Sequence, residues 1–314
     1  MTAWQRYVAY WNERESPETV GLLRIAFGLC IIVNVSEQIV HGTITEIYAT
    51  VGSGGIFTIS EPTSVLSLFH YLEPSSELVW ALVVAQLGMA VLLTLGFYTR
   101  LSSFILFILQ ITFFDRMVMF RYGGDAVLCV FSWLMVLTPG GATWSLDSWM
   151  RGHPLADVPA WPRRLWMAQL AIIYTQAGLV KLGTMWSFID GWSAFYLAVN
   201  VPGIARRSGE WAAYVYPMTQ IGTLISSWWE LTFFILPINQ FLRRRERRCN
   251  IFMRVLCQCD LRKIYLPLGI LMHITIWITL DVGLFGLAML CPYLSYLTPK
   301  EIRSLTPQHI AGRC

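Results

Sequence analysis

WMAQLAIIYTQAGLVKLGTMWSFIDGWSAFYLAVN, residues 166–200, starts as an apolar helix of membrane grade and then places Lys181 where a hydrocarbon-facing segment should carry no lysine. A tryptophan-rich, glycine-broken tail follows, with Trp186, Asp190, Gly191 and Trp192. An ionisable side chain inside a spanning segment is costly, so it generally faces a protein interior or a watery cavity and marks function. The stretch therefore sets two expectations: an all-α chain embedded in a membrane, and a site around Lys181.

The rest of the chain fits the first expectation. Its 314 residues are 55% hydrophobic and only 13% charged, with mean hydropathy +0.53. Soluble domains carry about a quarter charged residues, so the deviation is a membrane signature. Fourteen tryptophans and thirteen tyrosines suit the aromatic girdles found at headgroup level. Apolar runs lie at about 20–40, 78–97, 101–114, 126–138, 165–182 and 218–242. The last run, 264–297, is too long for one crossing of a bilayer core of roughly 30 Å. A break at Asp281-Val282-Gly283 is expected there. The result is a polytopic integral membrane helix bundle with seven or eight spans. Residues 1–19 read as a polar N-terminal arm, 20–298 as the transmembrane domain with a basic loop at about 243–263, and 299–314 as a short tail.

Residues 1–20 are too polar for a cleavable signal peptide, so the first span is expected to act as an uncleaved anchor. Residues 41–77 contain no Lys or Arg, whereas Arg243, Arg244, Arg245, Arg247 and Arg248 crowd one loop. The positive-inside rule places the first segment outside and the arginine loop in the cytoplasm. Alternating spans then put Arg100, Arg151, Arg163 and Arg164 inside, and Arg116, Arg121, Asp125 and Lys181 toward the external face. The arginine cluster suits lipid headgroups better than nucleic acid, which is not expected as a partner. Of the seven cysteines, Cys249, Cys257 and Cys259 share the basic loop, but their C-x7-C-x-C spacing matches no standard zinc site. No metal is expected.

At helical spacing Tyr174, Ala177, Gly178 and Lys181 share a face, and the two small residues leave room for a neighbouring helix or a ligand. Lys181 has two readings: a lysine that snorkels to headgroups, or a desolvated amine able to act as a base. Asp125 follows two glycines at the start of a helix, where a carboxylate is favoured by the dipole; Arg121, four residues earlier, could pair with it or clamp a substrate. His273, in LGILMHITIW, and Glu230, in SSWWELTFF, are further intramembrane ionisable groups that suit either interhelical hydrogen bonding or catalysis. Nucleophile-elbow, zincin, P-loop and dinucleotide signatures are absent from the sequence. A transporter reading is weakened by the lack of an internal repeat.

These residues together resemble the HTTM (horizontally transferred transmembrane) domain, the membrane part of vitamin K-dependent gamma-carboxylase and of many bacterial proteins. Leu22-Leu23-Arg24-Ile25 with Gly28 looks like the family's opening helix. Tyr122-Gly123-Gly124-Asp125 through Leu137, Pro139 and Trp144-Ser145-Leu146-Asp147 looks like its central signature. Gln169-Leu170, Tyr174, Ala177-Gly178, Lys181-Leu182, Trp186 and Gly191 form the most specific block, and His273 ahead of Gly283-Leu284-Phe285 resembles the late histidine helix.

The resemblance implies that Lys181 is the base that deprotonates a reduced, vitamin K-like quinone. Oxygenation then yields a strong base that removes a proton from the gamma carbon of a glutamate, and carbon dioxide adds there. Lys181, His273 and Asp125 would be catalytic, with Arg121, Tyr174, Trp186 and Trp192 lining the substrate site. Where the carboxylase has a histidine, this chain reads Gly-Gly-Asp, so that supporting group is expected to be either absent or replaced by Asp125. The carboxylase also continues into a large extramembrane region, whereas this chain stops about seventeen residues after its last apolar run. Short members of the family resemble a helper in maturing a peptide toxin of the sporulation-delaying type. That keeps a non-catalytic alternative open, with a small peptide on the external face as partner. A cell-membrane location, inner or plasma, follows from the short members.

Overall fold

A computed structural model describes residues 2–56, 64–116, 123–243 and 258–305. Among them the helices are α1 (Ala3–Trp11), α2 (Glu18–His41), α3 (Ile44–Tyr48), α4 (Ser76–Leu95), α5 (Thr99–Arg116), α6 (Gly123–Leu137), α7 (Leu146–Met150), α8 (Trp161–Leu179), α9 (Ala194–Ala198), α10 (Trp211–Tyr214), α11 (Tyr216–Thr232), α12 (Ile235–Leu242), α13 (Arg262–Thr279), α14 (Phe285–Leu290) and α15 (Pro299–Leu305). Two short strands, β1 (Arg14–Glu15) and β2 (Val158–Pro159), pair antiparallel. Contacts divide the chain into a first unit, Met1–Trp166 with Leu287–Cys314, and a second, Met167–Gly286.

In the first unit, helix ends are closed by side chains from elsewhere in the sequence. Arg24, fully buried on α2, donates from Nη1 to the Leu93 and Thr94 carbonyls at 3.1 and 3.0 Å, and from Nη2 to the Trp144 carbonyl. Its charge thus answers the orphan carbonyls that end α4, which also complements the negative end of that helix. Gly96 terminates α4 at φ +71°, and a Cβ there would stand 1.9 Å from Arg24 Nη1, so both backbone and space require glycine. Asp147 closes the next helix: its Oδ1 accepts from Tyr98 N at 2.8 Å, and its Oδ2 from Thr99 N at 2.9 Å and Thr99 Oγ1 at 2.6 Å. The residues read as an opening helix and a central signature therefore meet as one capping cluster.

The segment expected to be a polar arm is structured. Glu15 takes both Nε and Nη2 of Arg163 at 2.6 and 2.7 Å, Arg163 Nη1 donates to the Ser295 carbonyl, and Glu13 pairs with Arg164. These contacts, with the β1–β2 pairing, give Glu13 and Glu15 of the arm their partners.

In the second unit, α11 and α12 meet at a 50° bend. Helix α13 ends at Thr279 and the chain leaves it extended at Leu280, just before the Asp281-Val282-Gly283 break. Strand-like contacts close the exit: Leu280 bridges Ala205, Asp281 N donates to Ile204 O, and Arg206 Nε donates to Leu280 O. Leu280 packs with Val199 and Ala212 in a small core bordered by Phe195 and Ile276.

Among the described residues two helices, α2 and α4, or three if the bent α11–α12 pair is one span, are long and apolar enough to cross a membrane, so the seven or eight expected spans are shown only in part. The outward face of α4 is apolar, with Val84 65% and Leu95 50% exposed, as a lipid-facing helix requires. Helix α6 is apolar but short; fifteen residues rise only about 22 Å. Helix α5 carries Arg100, Asp115 and Arg116 near its ends.

Candidate functional site

Lys181 lies two residues beyond the last residue of α8, not on the helix. Val180 N still donates to Gln176 O at 3.0 Å, but Lys181 N turns back to Gly178 O at 3.4 Å. The shared helical face expected for Tyr174, Ala177, Gly178 and Lys181 therefore ends one step early. The lysine enters the second unit from a turn, which frees its side chain to point at α11.

There Nζ forms an ion pair with Glu230, buried on α11. The indole of Trp186, in the short 3-10 helix Thr184–Trp186, covers the ammonium with its ring centroid 4.4 Å away. Only 17% of the lysine side chain and 10% of the glutamate side chain remain exposed. A charge is tolerated at such burial when a counter-charge meets it, and an aromatic face adds favourable quadrupole attraction.

Gly178 decides which occupant takes the small-residue face. A Cβ at this position would lie 2.5 Å from Leu231 N and 2.7 Å from Leu231 Cα. The room belongs to the backbone of α11, not to a ligand, and this close approach delivers Glu230 to Lys181.

A second polar pair involves α8 about two turns back from Lys181. Tyr174 Oη and His273 Nε2 are 2.6 Å apart, both residues being buried. The Tyr174 ring packs on Trp229 and Phe233 of α11 with centroids 4.6 and 4.5 Å away, and His273 meets Phe285 at 5.5 Å. Trp229 Nε1 in turn donates to Tyr265 O at 3.1 Å. The ion pair thus ties the turn after α8 to α11, and the hydrogen-bonded pair ties α8 to α13.

Trp192 adopts φ +58° beside Gly191 at φ +62°, and its N–H closes the turn on Ser187 O at 2.9 Å. It shapes the segment that carries Trp186. Asp125 occupies the first turn of α6 in the first unit, as its glycine prefix predicted. It lines a polar cavity with Asn34, Gln38, Tyr48, Gln86 and Gln110, whose free space admits about one water. Burial, and secondarily the Asp125 carboxylate, pushes the Tyr48 phenol above its ordinary value. Arg121 and the arginines 244–248 lie outside the described residues.

The HTTM domain matches residues 12–280, most of the chain. The chain belongs to the HTTM family. That family is membrane-associated and related to gamma-carboxylase. No curated protein and no solved structure matched the chain.

Glu230 belongs to the candidate site through its ion pair with Lys181, and the sequence alone left it without a partner. The signal was present: Lys181 is the one charge in 166–189, and Glu230 the one charge in 218–242. Two solitary, opposite charges in separate apolar segments of an HTTM protein each need a partner, and each is the other's most economical one.

Proposed function

We propose that this HTTM protein is a multi-pass membrane protein in which the Lys181–Glu230 pair handles a proton, acting on a hydroxyl-bearing lipid of the reduced-quinone type. The observation that carries the reading is the pair itself, formed between the turn after α8 and α11 and capped by Trp186. Lys181 reaches its free-amine form by passing a proton to Glu230, which stays beside it as the neutral acid. A hydroxyl that reaches Lys181 Nζ then meets an amine able to accept its proton, and the resulting ammonium offsets the charge left on oxygen. Tyr174 and His273 form the adjacent hydrogen-bonded pair that would orient a ring near Trp186. The donor set fits such a group: an amine, a carboxyl and an indole face on apolar helices. A bound reduced quinone would supply the acidic hydroxyl and the reaction with oxygen.

The multi-pass arrangement counts α5, α6, α8 and α13 as further crossings, with residues 41–77 outside and the arginine loop 243–263 in the cytoplasm of a cell membrane. Support comes from the apolar outward faces and from the asymmetry of Lys and Arg between those two segments.

The test is oxygen-dependent consumption of a reduced quinone by protein reconstituted in lipid. Lys181→Ala and Glu230→Gln should each lower the rate by about 10²–10⁴-fold, the usual contribution of a positioned acid or base. Rates equal to wild type would remove the pair from the mechanism.

A second reading draws on the same geometry. Gly178 against Leu231 and the closed ion and Tyr–His pairs are also what a purely structural clamp needs, as in a membrane helper for maturation of a small peptide. Absence of quinone turnover, with peptide maturation lost on deletion, favours that reading.

A further inference from the structure

Helix α1 carries Trp4, Tyr7, Val8 and Trp11 at the i, i+3, i+4, i+7 spacing of a single face. Trp4 is 70% and Tyr7 47% exposed. The Trp4 and Tyr7 rings stack with centroids 5.6 Å apart, and Tyr7 meets Trp11 edge-on at 6.1 Å, so the row is continuous. Tyr10, on another side of the helix, lies under the Arg164 guanidinium at 3.7 Å, and Glu13 and Glu15 hold Arg164 and Arg163. The helix is therefore fixed to the first turn of α8, with Trp4 and Tyr7 turned outward and the row running inward to a half-buried Trp11.

Its depth follows from its neighbours. Trp11 is separated from the start of α2, a helix able to span a membrane, by residues 12–17 alone. Val20 near that start packs with Ala142 and Val158, which places the 140–158 segment at the same end of the bundle. Other exposed apolar side chains stand on or beside that segment: Trp149 at 78%, Met150, and Tyr98 beside the Asp147 cap. Aromatic rings with a polar tip collect where hydrocarbon meets headgroups.

We propose that α1 lies flat in the headgroup layer of the bilayer, its Trp4–Tyr7–Trp11 row toward the hydrocarbon, as an interfacial anchor for the first unit. A protein partner fits less well. One face of a nine-residue helix offers far less than the roughly 1,000 Å² that a specific protein interface buries. The inference rests on membrane association of the HTTM family and not on the proton-handling reading.

The experiment compares the full chain with Trp4→Phe in bilayers and takes the difference in tryptophan emission as the Trp4 signal. Lipids brominated near the headgroup should quench that signal severalfold more than lipids brominated at the chain ends, and aqueous iodide should quench it little. Strong iodide quenching without bromolipid quenching would place α1 in water and overturn the proposal. Protection from every quencher would mean that protein, a second copy included, covers the row, and would overturn it equally.

Discussion

Lys181 and Glu230 neutralise each other at a position where neither could stand alone, so the two single substitutions and the double one separate pairing from charge. Lys181→Ala leaves a buried carboxylate without its counter-charge, a change that costs about 3–5 kcal/mol for buried pairs and sits at the lower end here because the lysine keeps some exposure. Replacing both partners by apolar residues, Lys181→Met with Glu230→Leu, should restore most of that loss. Thermal unfolding in mixed micelles would measure it, and a double variant as unstable as the sum of the singles would deny the coupling. Gly178 makes a sharper test of the clamp. The atoms facing its missing Cβ belong to the Leu231 backbone, which cannot swing aside, so Gly178→Ala should destabilise by about 1–3 kcal/mol despite adding one methyl group. In an unpacked helix the same change would stabilise.

Elements in this chain are ended by distant side chains, and that explains which sequence features were readable. Gly42 and Gly96 end α2 and α4 in the left-handed conformation that glycine adopts without strain, close to where the apolar runs 20–40 and 78–97 stop. Arg24 looked like an interruption of an apolar run because its partners, the carbonyls of residues 93, 94 and 144, are far off in sequence. Asp147 looked like part of a signature for the same reason. Asp147→Ala should remove the cap of α5 and cost about 1–2 kcal/mol in a thermal melt, while Asp147→Asn, which keeps an acceptor, should cost less. Ahead of α13, a hydrogen bond from the Arg262 guanidinium holds the Asp260 carboxyl well below the usual carboxylate range, with Arg243 adding to it. A depressed carboxylate contributes stability that is complete above its unfolded value of about 4 and fades as pH falls below it. The melting difference between wild type and Asp260→Asn should therefore be constant near neutral pH and shrink on acidification below about 4. A difference that grew on acidification would assign the stabilisation to another group.

For the whole molecule, composition was enough to read the class, because a chain so poor in charge has no soluble way to cover its apolar faces. Span number was not legible in the same way. Hydropathy runs count apolar residues, whereas crossing depends on unbroken helix length, and α6 and the bent α11–α12 pair separate those two quantities. The candidate site was half legible for a related reason: Lys181, Glu230 and His273 announced themselves as misplaced polar groups, but the pairing of Lys181 with Glu230 and of His273 with Tyr174 is set by helix packing, which no local pattern records. The proposed arrangement still makes a firm topological demand. Between residues 41–56 and the loop after Arg243 the crossings would be α4, α5, α6, α8 and the α11–α12 pair, an odd number, so the two segments must face opposite sides. A reporter active only outside the membrane should work when inserted near Gly52 and fail when fused after Arg243, and a reporter active only in the cytoplasm should do the reverse. If both positions report the same side, one of those helices does not cross. The natural suspect is then α6, whose rise of about 22 Å falls short of a hydrocarbon core of roughly 30 Å and which would have to thin the bilayer or shelter inside the bundle to span it.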